Sequence, residues 1–167
     1  MKKYIYVILF LLLLGCKNKV LLHLGNKYNL DKDHNHYYTV FYDETDDYDY
    51  GPSRSFIIWG DILKINYDST YVIALIKPVY KITESKEGKK INNYKDRKKL
   101  IETSLMREYW ILNKKVEPKA MKNENGYFYS NVYGPFNEND FNKKRKELGI
   151  SDTLELLTID ELLNKNR

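Results

Sequence analysis

Two apolar, β-rich runs separated by a two-residue polar joint constrain this chain more than any other feature. Phe56 to Tyr67 and Thr70 to Tyr80 flank Asp68-Ser69. In the first run Ile62, Lys64 and Asn66 alternate with Leu63, Ile65 and Tyr67. In the second, Val72, Ala74 and Ile76 share one face, and Ile73 and Leu75 share the other. A period of two is that of a strand, and a short polar joint between two such runs predicts an antiparallel hairpin. Pro78 has no N–H to give to a sheet ladder, so it marks an edge position or the strand's last residues.

The rest of the chain adds strands first and helices later. Tyr28 and Leu30 open a short strand, and residues 36–42 (His-Tyr-Tyr-Thr-Val-Phe-Tyr) are β-branched and aromatic. Glu108 to Asn113 and Tyr127 to Tyr133 read as strands, the latter stopped by Gly134-Pro135. Residues 81–99 are charged and Lys-rich, which predicts a loop followed by a short helix from Asp96 to Ser104. Asn137 is placed to cap a helix from Glu138 to Leu148. Its acids come first, Lys143 to Lys146 come late, and Gly149 stands just past the end. Phe141, Leu148 and the stem of Arg145 form its packing stripe. Leu154 to Leu156 reads as extended, and Thr158 with Glu161 fits a capping box for a closing helix through Asn164. Strands and helices are segregated, so the expected class is α+β. The expected architecture is an antiparallel sheet of about five or six strands and two or three helices, mostly toward the C-terminus. With 43% hydrophobic residues the chain can bury a core, which excludes an intrinsically disordered tail.

The N-terminus carries a different message. Met1-Lys2-Lys3 is a short positive segment, followed by the uncharged, largely aliphatic run Tyr4 to Leu14. As a helix that run reaches only about 16 Å, about half of a bilayer core, and its length and flanks suit a signal peptide better than a membrane span. It ends in Leu13-Leu14-Gly15-Cys16, which resembles the lipobox of bacterial lipoproteins. The resemblance implies cleavage after Gly15 and acylation of Cys16 by diacylglyceryl and palmitate-type chains, more than one being needed because a single chain holds only weakly. The chain then divides into a cleaved signal (1–15), a lipidated cysteine with a short tether (16–26) and a single α+β domain (27–167). Removing residues 1–15, which hold two lysines, takes the chain from 167 residues and +5 to 152 residues and +3. So modest a charge does not argue for nucleic acid. Lys17 and Lys19 are placed to meet anionic headgroups. The expected location is a cell membrane or outer membrane, lipid-anchored through Cys16 and facing away from the cytoplasm.

The body has its own resemblance. Asp68-Ser69-Thr70-Tyr71-Val72-Ile73-Ala74, Tyr109-Trp110-Ile111-Leu112-Asn113-Lys114, Tyr133-Gly134-Pro135-Phe136, and Phe141 with Lys144 to Ile150 resemble a family of small, functionally uncharacterised bacterial lipoproteins, a domain of unknown function. The resemblance spans most of residues 56–157. It implies a shared fold rather than a shared chemistry, because its residues are strand, turn and capping types.

Candidate sites are few. A single Cys excludes an internal disulfide framework and Cys-cluster zinc sites. Asp31, Asp33 and Asn35 copy the first three ligand spacings of a calcium loop. His36 and Tyr42 then stand where a glycine and a bidentate glutamate are required, so the segment reads as a polar turn. Asp43, Glu44, Asp46, Asp47 and Asp49 offer a carboxylate-rich loop to a hard cation, with a solvated loop as the simpler account. His34 and His36 could begin a zinc site only with a third ligand borrowed from that loop. No Gly-x-Ser-x-Gly elbow, Walker loop or dinucleotide fingerprint occurs. Lys86, Lys89, Lys90, Lys95 and Arg97 to Lys99 form the densest basic patch. It is a solvated face or a contact for anionic lipid. The sixteen tyrosines with Trp59 and Trp110 suit strands, or a sugar- or peptide-binding surface. The expectation is a non-catalytic binding domain with no cofactor and an envelope component or protein as partner. An immunity-type protein that neutralises an exported toxin is the alternative. A hydrolase with converging acids drawn from Asp43–Asp49 and Asp61 ranks behind both.

Overall fold

The computed structural model describes residues 20–44, 54–123 and 126–166. Cys16, Lys17, Lys19, Asp46, Asp47 and Asp49 lie outside the described residues.

The strands divide among three antiparallel sheets. The first runs β1 (Leu22–Gly25), β2 (Tyr28–Lys32), β3 (Tyr38–Asp43) and β4 (Arg54–Ile58), in chain order. The second contains the expected hairpin, β5 (Asp61–Tyr67) and β6 (Tyr71–Lys77), followed across the sheet by β7 (Glu108–Asn113). A small hairpin, β8 (Ala120–Asn123) and β9 (Gly126–Tyr129), forms the third. The second sheet is completed by β10 (Val132–Phe136) outside β7 and β11 (Leu157–Thr158) outside β5. The β5–β6 turn forms because Asp68 Oδ1 accepts from the backbone N–H groups of Thr70 (2.6 Å) and Tyr71 (2.7 Å).

Helices α1 (Val79–Thr83) and α2 (Tyr94–Thr103) fill the connection from β6 to β7. Helices α3 (Glu138–Glu147) and α4 (Ile159–Lys165) belong to the C-terminal quarter. The class is α+β and sheet-dominated, as the segregated pattern implies. Asn137 caps α3 by accepting from Asp140 N at 2.9 Å, and the Thr158–Glu161 capping box opens α4. Helix α2 starts two residues before the expected Asp96, because Asn93 supplies the cap at 2.8 Å and leaves Asp96 in the first turn.

The alternation in β6 decides the packing. Val72, Ala74 and Ile76 face the first sheet and pack with Leu24, Tyr28, Leu30, Val40, Ile58 and Leu112. Ile73 faces the other way, with Ile111, under Phe141 of α3, Ile150 and Leu154. The second sheet is therefore buried on both faces.

Four further boundaries differ from the sequence reading. The first apolar run is not one strand. It breaks at Trp59-Gly60 and feeds two sheets. The second run ends at Lys77, where Pro78 begins α1 instead of extending the ladder. The folded body begins at Leu22 rather than residue 27, since Leu24, assigned to the tether, is 1% exposed and fills the core. The expected strand Tyr127 to Tyr133 is two, β9 and β10, broken at Ser130-Asn131, and Gly134-Pro135 lies within β10, where the pairing with β7 is irregular.

Candidate binding surface

The corner between β4 and β5 builds an exposed cluster of stacked aromatic rings. Gly60 has φ +149°, and a Cβ there would stand 2.9 Å from both the Lys77 carbonyl oxygen and Ile76 Cδ1. Only glycine admits this approach of the corner to β6 without strain. The corner leaves Trp59 63% exposed beside Tyr80 of α1, itself 59% exposed. Their rings stack with centroids 5.9 Å apart and planes 25° apart. Phe56 continues the row at 6.5 Å from Trp59, and it rests on buried Phe41 at 4.8 Å. The result is an aromatic ledge, anchored in the core at one end and open to solvent at the other.

Behind the ledge lies a cleft of about 120 Å³, with Asp33, Asn35, Tyr37 and Gly60 among its lining residues. Small-molecule pockets usually run from about 300 Å³ upward, so the cleft is a notch in the surface. Asp33 is buried and committed to its turn, with Oδ1 accepting from Asn35 N at 2.8 Å and Tyr37 N at 2.9 Å. Burial pushes the Asp61 carboxyl above the usual range. Lys77 and the Tyr38 backbone N–H oppose that shift, and Asp33 adds to it. Burial raises the Tyr37 hydroxyl as well, helped by Asp61, Tyr94, Asp33 and Glu102. Lys77 is buried and donates to the Glu102 carbonyl at 2.9 Å. These groups hold β3, β5, β6 and α2 together at one end of the molecule.

The acids expected to converge do not do so where described. Asp61 lies behind the ledge. Asp43 lies on the far side of the first sheet, where it pairs with Arg54 at 3.1 Å and accepts from Asn29 at 2.6 Å. The acid that does neighbour Asp61 is Asp33, which the sequence shows only as part of a polar turn. Glu44 accepts from the Ser55 hydroxyl. His23 shares a hydrogen bond with Asn29 at 2.6 Å, and His34 and His36 are exposed. Among the described residues no three His, Cys, Asp or Glu side chains are arranged to hold a metal ion.

The basic patch runs through the β6–β7 connection. A shallow groove of about 460 Å³ separates α1 from α2, with Ile82, Lys86, Leu100 and Met106 among its walls. Leu105, at its lip, is 89% exposed. Ion pairs Lys89–Glu84 at 3.3 Å and Lys98–Glu102 at 3.9 Å use part of the charge. Among the described residues no helix is long and apolar enough to cross a membrane.

No curated protein and no solved structure matches the chain. A protein family does match, over residues 25–160, from the end of β1 to the first turn of α4. That span takes in the second sheet, β2 to β4 of the first and every residue of the ledge. The chain belongs to this family, described as protein of unknown function (DUF3997).

Proposed function

We propose that this protein is a lipid-anchored domain of the cell envelope that binds an envelope component through the Phe56–Trp59–Tyr80 ledge and does no chemistry of its own. The stacked, solvent-facing pair Trp59 and Tyr80 carries the reading. Large aromatic faces held on a rigid corner cost little entropy to engage and bury much area per residue. The adjoining cleft is small, and the acid that lines it, Asp33, is committed to the turn. The lipobox-like Leu13-Leu14-Gly15-Cys16 supports the envelope location and makes Cys16 the point of attachment.

Two measurements on the full chain in a bacterial host test the two halves of this reading. Intact mass is expected to show loss of residues 1–15 and acylation at Cys16, both abolished by Cys16→Ser. A full-length, unacylated product in both cases would overturn the anchor. A photo-cross-linking side chain at position 59 is expected to capture an envelope component, whereas one at Asp68, in the far turn, is not. Equal capture at both positions would overturn the ledge as the binding surface.

A further inference from the structure

The register of β1 shows where the chain enters the fold. Leu22 pairs with Leu30 and Gly25 with Tyr28, so β1 runs away from the end of the sheet at which β2 finishes and the Asp33–Tyr37 turn lies. Val20 and Leu21 therefore stand at that end. The ledge is there too: Trp59 and Gly60 precede β5, Tyr80 follows β6, and the Asp61 carboxylate lies by the Tyr38 backbone N–H at the start of β3. So is the whole β6–β7 connection, because β6 ends and β7 begins there, with Ile76 opposite Glu108. That connection, residues 81–107, carries nine Lys and Arg against four Asp and Glu. It also exposes Tyr94 and Leu105. The opposite end holds the Gly25–Lys27 and Asp68–Ser69 turns and the Asp43–Arg54 pair, which flanks the acidic segment.

Chain entry, exposed aromatics and excess cations thus coincide at one end, and the acidic segment is rooted at the other. We infer that this end docks face-on against an anionic lipid leaflet, with Trp59 and Tyr80 at headgroup depth and the lysines of the β6–β7 connection over the lipid phosphates. The inference rests on the lipid-anchor reading and names the component that the ledge binds. From Cys16 to Val20 the backbone spans at most about 14 Å, so an acylated Cys16 leaves this end of the domain beside the membrane. Trp and Tyr partition to the interface, where an apolar ring and a polar edge are both satisfied. Each cation near an anionic surface strengthens binding roughly fivefold.

The full chain, incorporated into vesicles of phosphatidylcholine alone or with phosphatidylglycerol, tests this through quenching of tryptophan fluorescence by lipids brominated in the acyl chain. Quenching that Trp59→Phe removes is expected in the anionic vesicles. It should weaken in neutral vesicles, at 0.5 M salt, and in a Lys86→Glu, Lys89→Glu, Lys90→Glu variant, all three sites being exposed. If the chain sediments with anionic vesicles but Trp59 is not quenched, the docking is overturned and the anchor stands. Equal quenching in neutral and anionic vesicles overturns the choice of an anionic leaflet. Salt-sensitive Trp59 quenching by a chain whose mass shows no acylation upholds the docking and overturns the anchor. A chain that sediments with neither vesicle overturns both.

Discussion

The side-chain amide of Asn131 donates to the Tyr28 hydroxyl at 2.7 Å, joining the loop before β10 to β2 across 103 residues of chain. Both residues are buried, and the same amide reaches the carbonyls of Asn113 (3.0 Å) and Val116 (3.1 Å). This polar knot closes the two large sheets over each other at the end opposite the ledge. Burial pushes the Tyr28 hydroxyl up to about 12, with the Asn131 bond pulling the other way.

Tyr28→Phe is expected to cost about 1 kcal/mol at neutral pH, the usual net worth of one hydrogen bond whose other partner keeps its remaining contacts. The wild type should also lose stability as pH climbs from about 10 to about 12, because the unfolded chain releases this proton at the ordinary value and the folded one holds it to about 12. Urea midpoints measured across that window should fall more steeply for the wild type than for Tyr28→Phe. Parallel curves would show that Tyr28 titrates as it does when unfolded.

Asp61 behaves in the opposite sense to a stabilising salt bridge. Its carboxyl is raised by burial, so the folded state binds the proton more tightly than the unfolded state. Its contribution is fully present below the ordinary aspartate value and is lost as pH rises through the folded value. Asp61→Asn keeps an acceptor oxygen by the Tyr38 N–H. It should therefore match or exceed the wild-type melting temperature at pH 7 and show a flatter profile over the pH range above the ordinary aspartate value. A drop of several degrees at pH 7 would mean that the attraction to Lys77 outweighs the cost of burial.

Two glycines separate steric need from conformational need. Gly60→Ala places a Cβ 2.9 Å from the backbone oxygen of Lys77 at φ +149°, and a loss of about 3 kcal/mol with a shifted Trp59 emission is expected. Gly149, after α3, has φ +66° and nothing within 4 Å of an added Cβ. Gly149→Ala should therefore cost only about 1 kcal/mol, the left-handed penalty alone. Chemical denaturation of both variants checks the order, and equal losses would remove the steric argument.

Helix α3 is held by its packing more than by its cap. Phe141 is buried and stacks on Tyr109 at 4.8 Å, so Phe141→Ala should cost about 3–4 kcal/mol. Asn137→Ala, which removes the bond to Asp140 N, should cost about 1 kcal/mol. Denaturation midpoints that reversed this order would show that the second core contributes little.

Where a local cause is enough, the sequence was legible. The Asp68 turn, the alternation in β6, the Asn137 cap and the Thr158–Glu161 capping box depend on neighbours within a few residues, and each forms as its residues imply. Asn93 carries the same capping signal before α2, masked by the Lys-rich charge of residues 81–99 around it. Strand β8 has no such signal: Ala120-Met121-Lys122-Asn123 is short and lacks β-branched residues, and it takes its shape from pairing with β9. Nor could the aromatic content show which rings would be buried. Trp59 was visible as an aromatic in a β-rich run. Its exposure follows from the Gly60 corner meeting β6, a contact between residues that are distant in sequence.

The sequence by itself determined the α+β class, the central hairpin and the helix caps, because periodicity, turn chemistry and short motifs act over a few residues. Only the tertiary structure decided that the chain enters the fold beside Trp59, Tyr80 and the Lys-rich connection, and that Asp43 lies far from Asp61. Those placements depend on which strand ends share an edge of the molecule. Pairing register sets that arrangement, and local residue pattern does not encode it.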